Sequence, residues 1–406
     1  MGHGVTNGDS APPREGLGVI HVSAGYVDLS RDRGGVSNIV RHLCLEGSEA
    51  GCRTVLLCGD RELGEPVAGA TGRHPVQAVA VEVFPQARHP ALGPVAGIRR
   101  AIREAGSPAV VHVHAGFSAF TEAAMGAAGQ ARIPFVFSPH GKLSGGPGGV
   151  PLSAKRLWWK WVLEPRLRSA ARIVFSGRTE APWVLRQDRL PPTAVIPNGF
   201  TCPDGREVEP WESARPYVLF LGYLDPRKQP GFLIEAFARA AVRTTHQLVL
   251  AGPDSYGHRG WLESLARSRG VPEAVRFVGP VADGEKWALL RGARCLCLPS
   301  RSEGQPLVLV EALGAGVPSL YSSACNFPEI SEGGAGVEVP DFGPDRWAAE
   351  IDALCLDDGR RDRMRAAAAR LAPGYGWRAI GRRWVGLYEE VAREHHARRQ
   401  DLRHAR

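Results

Sequence analysis

Two glutamates set the chemistry this chain could carry. Glu303 and Glu311 are separated by seven residues in the stretch LPSRSEGQPLVLVEALGAGVPSLY, residues 298–321. The stretch begins as the end of an apolar strand, Ala293 to Leu298, and passes into a polar loop. Gly304, Gln305 and Pro306 carry that loop into a helix. Pro306 suits the first helical turn because it needs no amide partner there. Leu307, Val308, Val310, Glu311 and Leu313 continue the helix until Gly314 and Gly316 stop it. A strand, loop and helix in this order put the helix N-terminus at the carboxyl edge of a parallel sheet. Open α/β sheets bind ligands at that edge, and free backbone N–H groups there attract phosphate. A carboxylate beside an anion site needs another task, and accepting hydrogen bonds from vicinal sugar hydroxyls is one.

Three further groups share that kind of address. Arg227 and Lys228 lie in GYLDPRKQP, directly after the apolar run Tyr217–Leu221 and Gly222. A cation there could meet a phosphate, although a solvated loop lysine is the plainer alternative. His140 follows the strand Pro134–Ser138 and precedes Gly141, so it sits at a strand end and not on a packed face. Gly34-Gly35 joins the first strand, Gly16–Val22, to a helix carrying Val36, Ile39, Val40 and Leu43 on one face. Such a pair brings backbone close to a ligand at a helix start. It is not a dinucleotide fingerprint, because no G-x-G-x-x-G opens the helix. His112 and His114 share one side of the strand Ala109–His114. Hydrogen bonding within the sheet is favoured for them over metal binding.

The elements that must position these groups alternate. Strands are expected at Gly16–Val22, Thr54–Cys58, Val79–Phe84, Ala109–His114, Pro134–Ser138, Arg172–Phe175 and Thr193–Ile196. After a polar stretch the alternation restarts at Tyr217–Leu221, Gln247–Ala251, Val275–Val278, Ala293–Leu298 and Ser319–Tyr321. Alternating strand and helix demands parallel sheets with right-handed crossovers. At 406 residues with 44% hydrophobic content, the chain fits two such domains. The expected division is a disordered lead-in over 1–15, a first Rossmann-like domain over 16–200, a linker over 201–216 and a second domain over 217–376. A helix over 377–399 follows, with Trp377, Ile380, Trp384, Leu387, Tyr388 and Val391 at helical spacing, and then a charged tail over 400–406. The tail from His395 is expected to fray.

The net charge of +8 is mostly arginine spread along the chain, which suits an anionic small substrate better than nucleic acid. The eight cysteines include no C-x2-C pair and fit reduced core thiols in a cytoplasmic protein. Cys295 and Cys297 should face one way into packing. No apolar run is long enough to span a membrane. Ala154–Ala171 is expected to form a helix with Trp158, Trp159 and Trp161 among basic residues. It could rest on an anionic membrane face, but tryptophans in the core with Lys and Arg stems on the flanks are favoured.

The E-x7-E spacing, with Gly304 and Pro306 inside it and GAGVP after it, resembles the motif of retaining GT-B glycosyltransferases, most closely those of glycosyltransferase family 4. SPHG at 138–141, IPNG at 196–199, AGPDSYGH, VRFVGPV, EKWALLRGA and CNFPE follow in family order, so the resemblance covers most of the chain. It implies two facing Rossmann-like domains with a C-terminal crossover helix. It implies a nucleotide-sugar donor, a hydroxyl acceptor and transfer with retention. Lys228 matches the family lysine that holds the nucleotide diphosphate. His140 is implied to reach the donor sugar, Glu303 to bind its hydroxyls and Glu311 the ribose. The arginine of the family's G-R-L stretch is Tyr223 here, with Arg227 or Arg301 as its replacement. No Asp-x-Asp pair occurs in the chain, which favours a mechanism without a metal cofactor. An inactive sugar-nucleotide or glycan-binding relative is the competing reading that Tyr223 keeps open. Acceptors fitting this composition are bacterial envelope glycans, lipid-linked sugars or natural-product scaffolds.

Overall fold

A computed structural model of the chain describes residues 16–404 apart from 32–34, 63–64, 86–94, 105–108, 117, 144–156, 181–189, 204–207 and 255–256. The lead-in over 1–15, Gly34, the Gly/Pro-rich loop at 144–151 and part of the linker fall outside the described residues.

The first half builds an eight-stranded sheet. Its order in space is Thr193–Val195, Arg172–Phe175, Phe135–Ser138, Ala109–His114, Gly18–Ser23, Arg53–Gly59, Val79–Phe84 and Gly72–Val76. All pairs are parallel except the last, where Gly72–Val76 runs antiparallel at the edge. The second half builds a six-stranded parallel sheet, ordered Val275–Gly279, Gln247–Ala251, Tyr217–Leu221, Cys295–Leu298, Ser319–Ser322 and Gly336–Val339. Gly72–Val76 and Gly336–Val339 were not legible as strands, because neither is a sustained apolar run. The central strands are buried along their whole length on both faces. That is the signature of a parallel sheet covered by helices on either side. Both cysteines of Cys295–Leu298 are buried, with Sγ atoms 3.9 Å apart.

The strand order of the second sheet reverses between Tyr217–Leu221 and Cys295–Leu298. The two connections leaving those carboxyl ends diverge to opposite sides and leave a crevice. Gly222–Lys228 and Pro299–Pro306 are those connections. The topology alone therefore brings the lysine loop and the glutamate loop to one place.

The closing helix, Trp377–His404, belongs to the first sheet's core. Trp377, Ile380, Trp384, Val385, Tyr388 and Val391 pack with Val19, Val110, Val136 and Val174. Arg172, on the first sheet, bonds Glu390 at 2.6 Å and Glu394 at 2.7 Å. The helix runs through His404, past the expected end at 399, and His395 Nε2 donates to the Arg132 carbonyl at 2.9 Å. The tryptophan-rich segment is also corrected. Its described part is α-helical at 157–158, π-wound over Trp159–Leu163 and α-helical again over Glu164–Leu167. The wider turn shifts the side-chain register. Trp158 and Trp159 pack against the first core, while Trp161 is 69% exposed. No helix among the described residues is long and apolar enough to cross a membrane.

Candidate functional site

A cleft of about 440 Å³ lies between the two sheets. On its second-sheet wall, the strand Tyr217–Leu221 ends at Gly222, which has φ +153°. A Cβ there would meet Lys228 Cδ at 3.2 Å, so glycine makes room for the lysine stem. Asp225 accepts from the Arg227 amide at 2.8 Å and caps the short 3₁₀ turn Pro226–Lys228. That turn directs Lys228 into the cleft, where Nζ meets Glu303 Oε1 at 2.6 Å. Ser300 Oγ donates to the same oxygen at 2.9 Å. Deeper along the wall, Lys286 Nζ lies 2.7 Å from Glu311 Oε1 and 2.7 Å from Asp283 Oδ1. Between the two ion pairs the helix Leu307–Gly314 begins, with Pro306 as an extended N-cap that offers no side-chain cap. An α-helix leaves its first-turn amides without intrahelical partners, and Pro306, Leu307 and Val308 line the cleft. Two lysines and a positive helix end thus surround a space that two carboxylates also face.

The first-sheet wall carries Gly35, Val36, Asn38, Ile39, His140 and Asn198. His140 stands in the left-handed region at φ +48°, a costly conformation for a side-chain-bearing residue. Gly141 follows at φ +78°, and a Cβ on it would come within 2.5 Å of the Gly304 amide nitrogen. The two loops therefore touch backbone to backbone. Glu180, fully buried, holds the first loop by accepting from the Gly141 amide at 2.6 Å and the Ser176 amide at 2.8 Å. Burial raises its pKa, and the backbone donors partly offset that. Asn198 spans to the second sheet: its amide donates to Gln305 Oε1 at 2.6 Å and its Nδ2 to the Gln305 carbonyl at 2.8 Å. Asn326 Nδ2 donates to the Glu303 carbonyl at 2.6 Å and its Oδ1 accepts from Thr179 at 3.1 Å.

Behind His140 lies a group of buried imidazoles. His114 Nδ1 is 3.0 Å from His140 Nε2, and His114 Nε2 is 3.0 Å from His21 Nδ1. His112 bonds Tyr388 Oη at 2.7 Å through Nδ1 and Ser138 Oγ at 2.8 Å through Nε2. One nitrogen from each of His21, His112 and His114 lies within 4.8 Å of the other two, close enough for a shared metal. His112 and His114 nevertheless spend both their nitrogens on hydrogen bonds, as expected for sheet histidines. Burial lowers all four pKa values, to about 3 for His21 and about 4 for His140. These rings are neutral near pH 7.

Of the residues singled out in the sequence, Gly35, His140, Gly222, Lys228, Glu303, Gly304, Gln305, Pro306, Leu307 and Glu311 all line this cleft. Gly34 lies outside the described residues. Arg227 is a correction: its guanidinium turns back onto the Asp225 carboxylate, with 66% of its side chain exposed, and it is not among the lining residues. The capping aspartate that builds the turn also captures the arginine. Arg301 is drawn away in the same manner, onto the Phe342 ring at 4.5 Å. Tyr223 itself lines the cleft. Lys286, Glu180 and the interdomain role of Asn198 were missed. Lys286 sits in the EKWALLRGA stretch and Asn198 in IPNG, so both had a signal; Glu180 had none.

The family description "Glycosyl transferases group 1" matches residues 203–371, and "Glycosyltransferase Family 4" matches residues 33–202. Among curated relatives, D-inositol 3-phosphate glycosyltransferase of Kineococcus radiotolerans is 32% identical over 45% of this chain and 46% of its own length. The enzyme of that name from Streptomyces bingchenggensis is 27% identical over 66% of this chain and 64% of its own. The chain thus matches these relatives over about half to two thirds of their length. Among solved structures, sucrose-phosphate synthase from Thermosynechococcus elongatus superposes with a TM-score of 0.72 at 19% identity, over 93% of this chain and 99% of that one. Anabaena HepE in complex with UDP gives 0.67 at 18% identity, over 92% and 99%. These likenesses establish the two-sheet GT-B fold.

Proposed function

The chain belongs to the family 4 glycosyltransferases, and from that premise we propose that it moves a sugar from a nucleotide diphosphate to an acceptor hydroxyl with retention of configuration. One observation carries this reading: Lys228, Glu303, Glu311, His140 and the start of the helix Leu307–Gly314 converge on one interdomain cleft. The relatives' names and the UDP bound in HepE favour a nucleotide-sugar donor.

Each wall then has a task. The leaving diphosphate gains negative charge as its bond to the sugar breaks, and preorganised cations and helix amides stabilise that charge most where it develops. Lys228 and the first-turn amides of Leu307 and Val308 serve this role. Lys228 is held by Glu303. A diphosphate replaces the carboxylate as the lysine's partner, and Glu303 is released to accept hydrogen bonds from sugar hydroxyls. Glu311, held by Lys286, receives the ribose hydroxyls. His140 meets the donor sugar from the opposite wall. Charge neutralisation by Lys228 and backbone dipoles, with no Asp-x-Asp pair in the chain, supports transfer without a metal cofactor. The acceptor approaches along the first-sheet wall beside Gly35 and His140. A polyol or sugar hydroxyl fits that polar approach, whether it belongs to an envelope glycan, a lipid-linked sugar, a natural-product scaffold or a phosphorylated cyclitol like that in the relatives' name.

Incubating the protein with a panel of nucleotide sugars, with and without EDTA, and following release of nucleoside diphosphate tests the proposal. Release from at least one donor, unchanged by EDTA, is expected. No release from any donor would instead favour a non-catalytic binding relative, the reading that Tyr223 suggests.

A further inference from the structure

The outer nitrogen of His140, Nδ1, is buried at the cleft wall without a hydrogen-bond partner. At the far end of the imidazole row, His21 Nε2 is equally buried and equally unpartnered. Between these ends run two N···N hydrogen bonds of 3.0 Å. A neutral imidazole carries one N–H. Three neutral rings joined by two such bonds therefore allow only two self-consistent patterns. In one, every ring is protonated on Nδ1: His21 donates to His114, His114 donates to His140, and His140 offers its N–H to the cleft. In the other, every ring is protonated on Nε2, and the spare N–H points from His21 into the core.

The two patterns differ in where the unpaired donor sits. Orphaned buried N–H groups are rare and costly, more so than an unused lone pair. His21 is wholly buried and offers its Nε2 no acceptor. His140 lines the cleft although its Nδ1 is itself buried, so its end of the row is the one beside a ligand site. The Nδ1 pattern places the spare donor at the end of the row that borders the cleft. Free neutral histidine in water prefers the Nε2–H form, so the row would reverse the ordinary choice. Rotation of the rings is blocked as well. His112 lies against His114 with ring centroids 3.8 Å apart, and Trp384 of the closing helix stacks on His112 at 4.5 Å.

We propose that His114 and His21 are positioning residues that hold His140 in the Nδ1–H form, so that a hydrogen-bond donor faces the cleft for an oxygen of the donor sugar. The last clause rests on the glycosyl-transfer reading; the tautomer assignment does not. Neither His114 nor His21 lines the cleft, and both act only through His140.

The test is long-range ¹H–¹⁵N correlation on the full chain labelled with ¹⁵N-histidine at pH 7.5, with resonances assigned through single variants. All three rings should be protonated on Nδ1. An Nε2–H signal from His140 overturns the assignment. In His114→Phe, which removes the donor to His140, the His140 signal should move toward the Nε2–H form and kcat should fall by about tenfold with nucleotide Kd unchanged. His114→Asn, whose side-chain amide can supply an N–H near the Nδ1 position, should keep His140 protonated on Nδ1. A His140 signal unmoved in His114→Phe also overturns the proposal. If that variant does not fold, the wild-type spectrum decides. No turnover of any nucleotide sugar alongside three Nδ1–H rings would refute the transfer reading and leave the tautomer assignment standing.

Discussion

The two walls of the cleft handle polar groups in opposite ways. On the second-sheet wall, charges are kept as charges, each lysine against a carboxylate: Lys228 with Glu303 and Lys286 with Glu311. On the first-sheet wall, titratable groups are kept neutral by burial, and His21, His114 and His140 satisfy one another in a row. An ion pair at a partly exposed edge can exchange one partner for an incoming anion. A buried neutral row has no charge to exchange; in the proposed pattern it presents its end group as a donor. On the proposed reading, one wall receives charge and the other orients a sugar.

Removing one lysine breaks the contrast most severely. Lys228→Ala should lower nucleotide-sugar turnover by more than about tenfold, since it deletes the cation at the leaving group and leaves Glu303 unpaired. A wild-type rate in that variant would refute the phosphate role. The histidine wall should betray itself through pH. The folded pKa values of His21, His112, His114 and His140 lie below the ordinary 6.5 because burial disfavours the cation. Below about pH 6.5 the unfolded chain therefore binds more protons, and stability present above that pH is lost as pH falls toward 4 and 3. Glu46, Glu122, Glu180 and Glu338, whose pKa values burial raises, oppose this trend in the range just above the ordinary carboxyl value, while the lowered His246 and His395 add to it. Tm should fall clearly between pH 7.5 and pH 5, and a flat Tm would contradict neutral burial. Glu311→Gln should weaken binding of a nucleoside diphosphate by roughly fivefold to tenfold in calorimetry, with Tm little changed. The smallest effect should come from Trp161→Ala, within about 0.5 kcal/mol of wild-type stability, because the ring is mostly exposed. Pelleting of wild type but not of that variant with anionic vesicles would give the ring a membrane role.

Legibility in the sequence followed the same division. The strand–loop–helix around Glu303 and Glu311 could be read because its apolar runs, proline and glycines are local signals. Lys228 could be read because it directly follows a strand. The sheet reversal that brings both loops together was not legible, because alternating elements fix parallel pairing but not strand order. Arg227 misled, because a capping aspartate two residues earlier decides where it turns, and proximity to a strand end says nothing of that. The histidine row was half visible: the alternation in Ala109–His114 put His112 and His114 on one face, but His21 joins them through the pairing of Gly18–Ser23 with Ala109–His114, where His21 stands opposite His112. Glu180 was invisible, since its partners are backbone amides supplied by a fold and not by any motif. The π-wound turn at Trp159–Leu163 lies beyond periodicity arguments that assume 3.6 residues per turn.

The central claim is that the cleft takes an activated sugar's diphosphate between Lys228 and the start of the helix Leu307–Gly314. A crystal structure of the protein soaked with a nucleoside diphosphate tests it most directly. The expected result is a β-phosphate within hydrogen-bond distance of Lys228 Nζ and the Leu307 or Val308 amide, with Glu303 parted from the lysine and ribose hydroxyls on Glu311. Nucleotide bound elsewhere with the Lys228–Glu303 pair intact would contradict it.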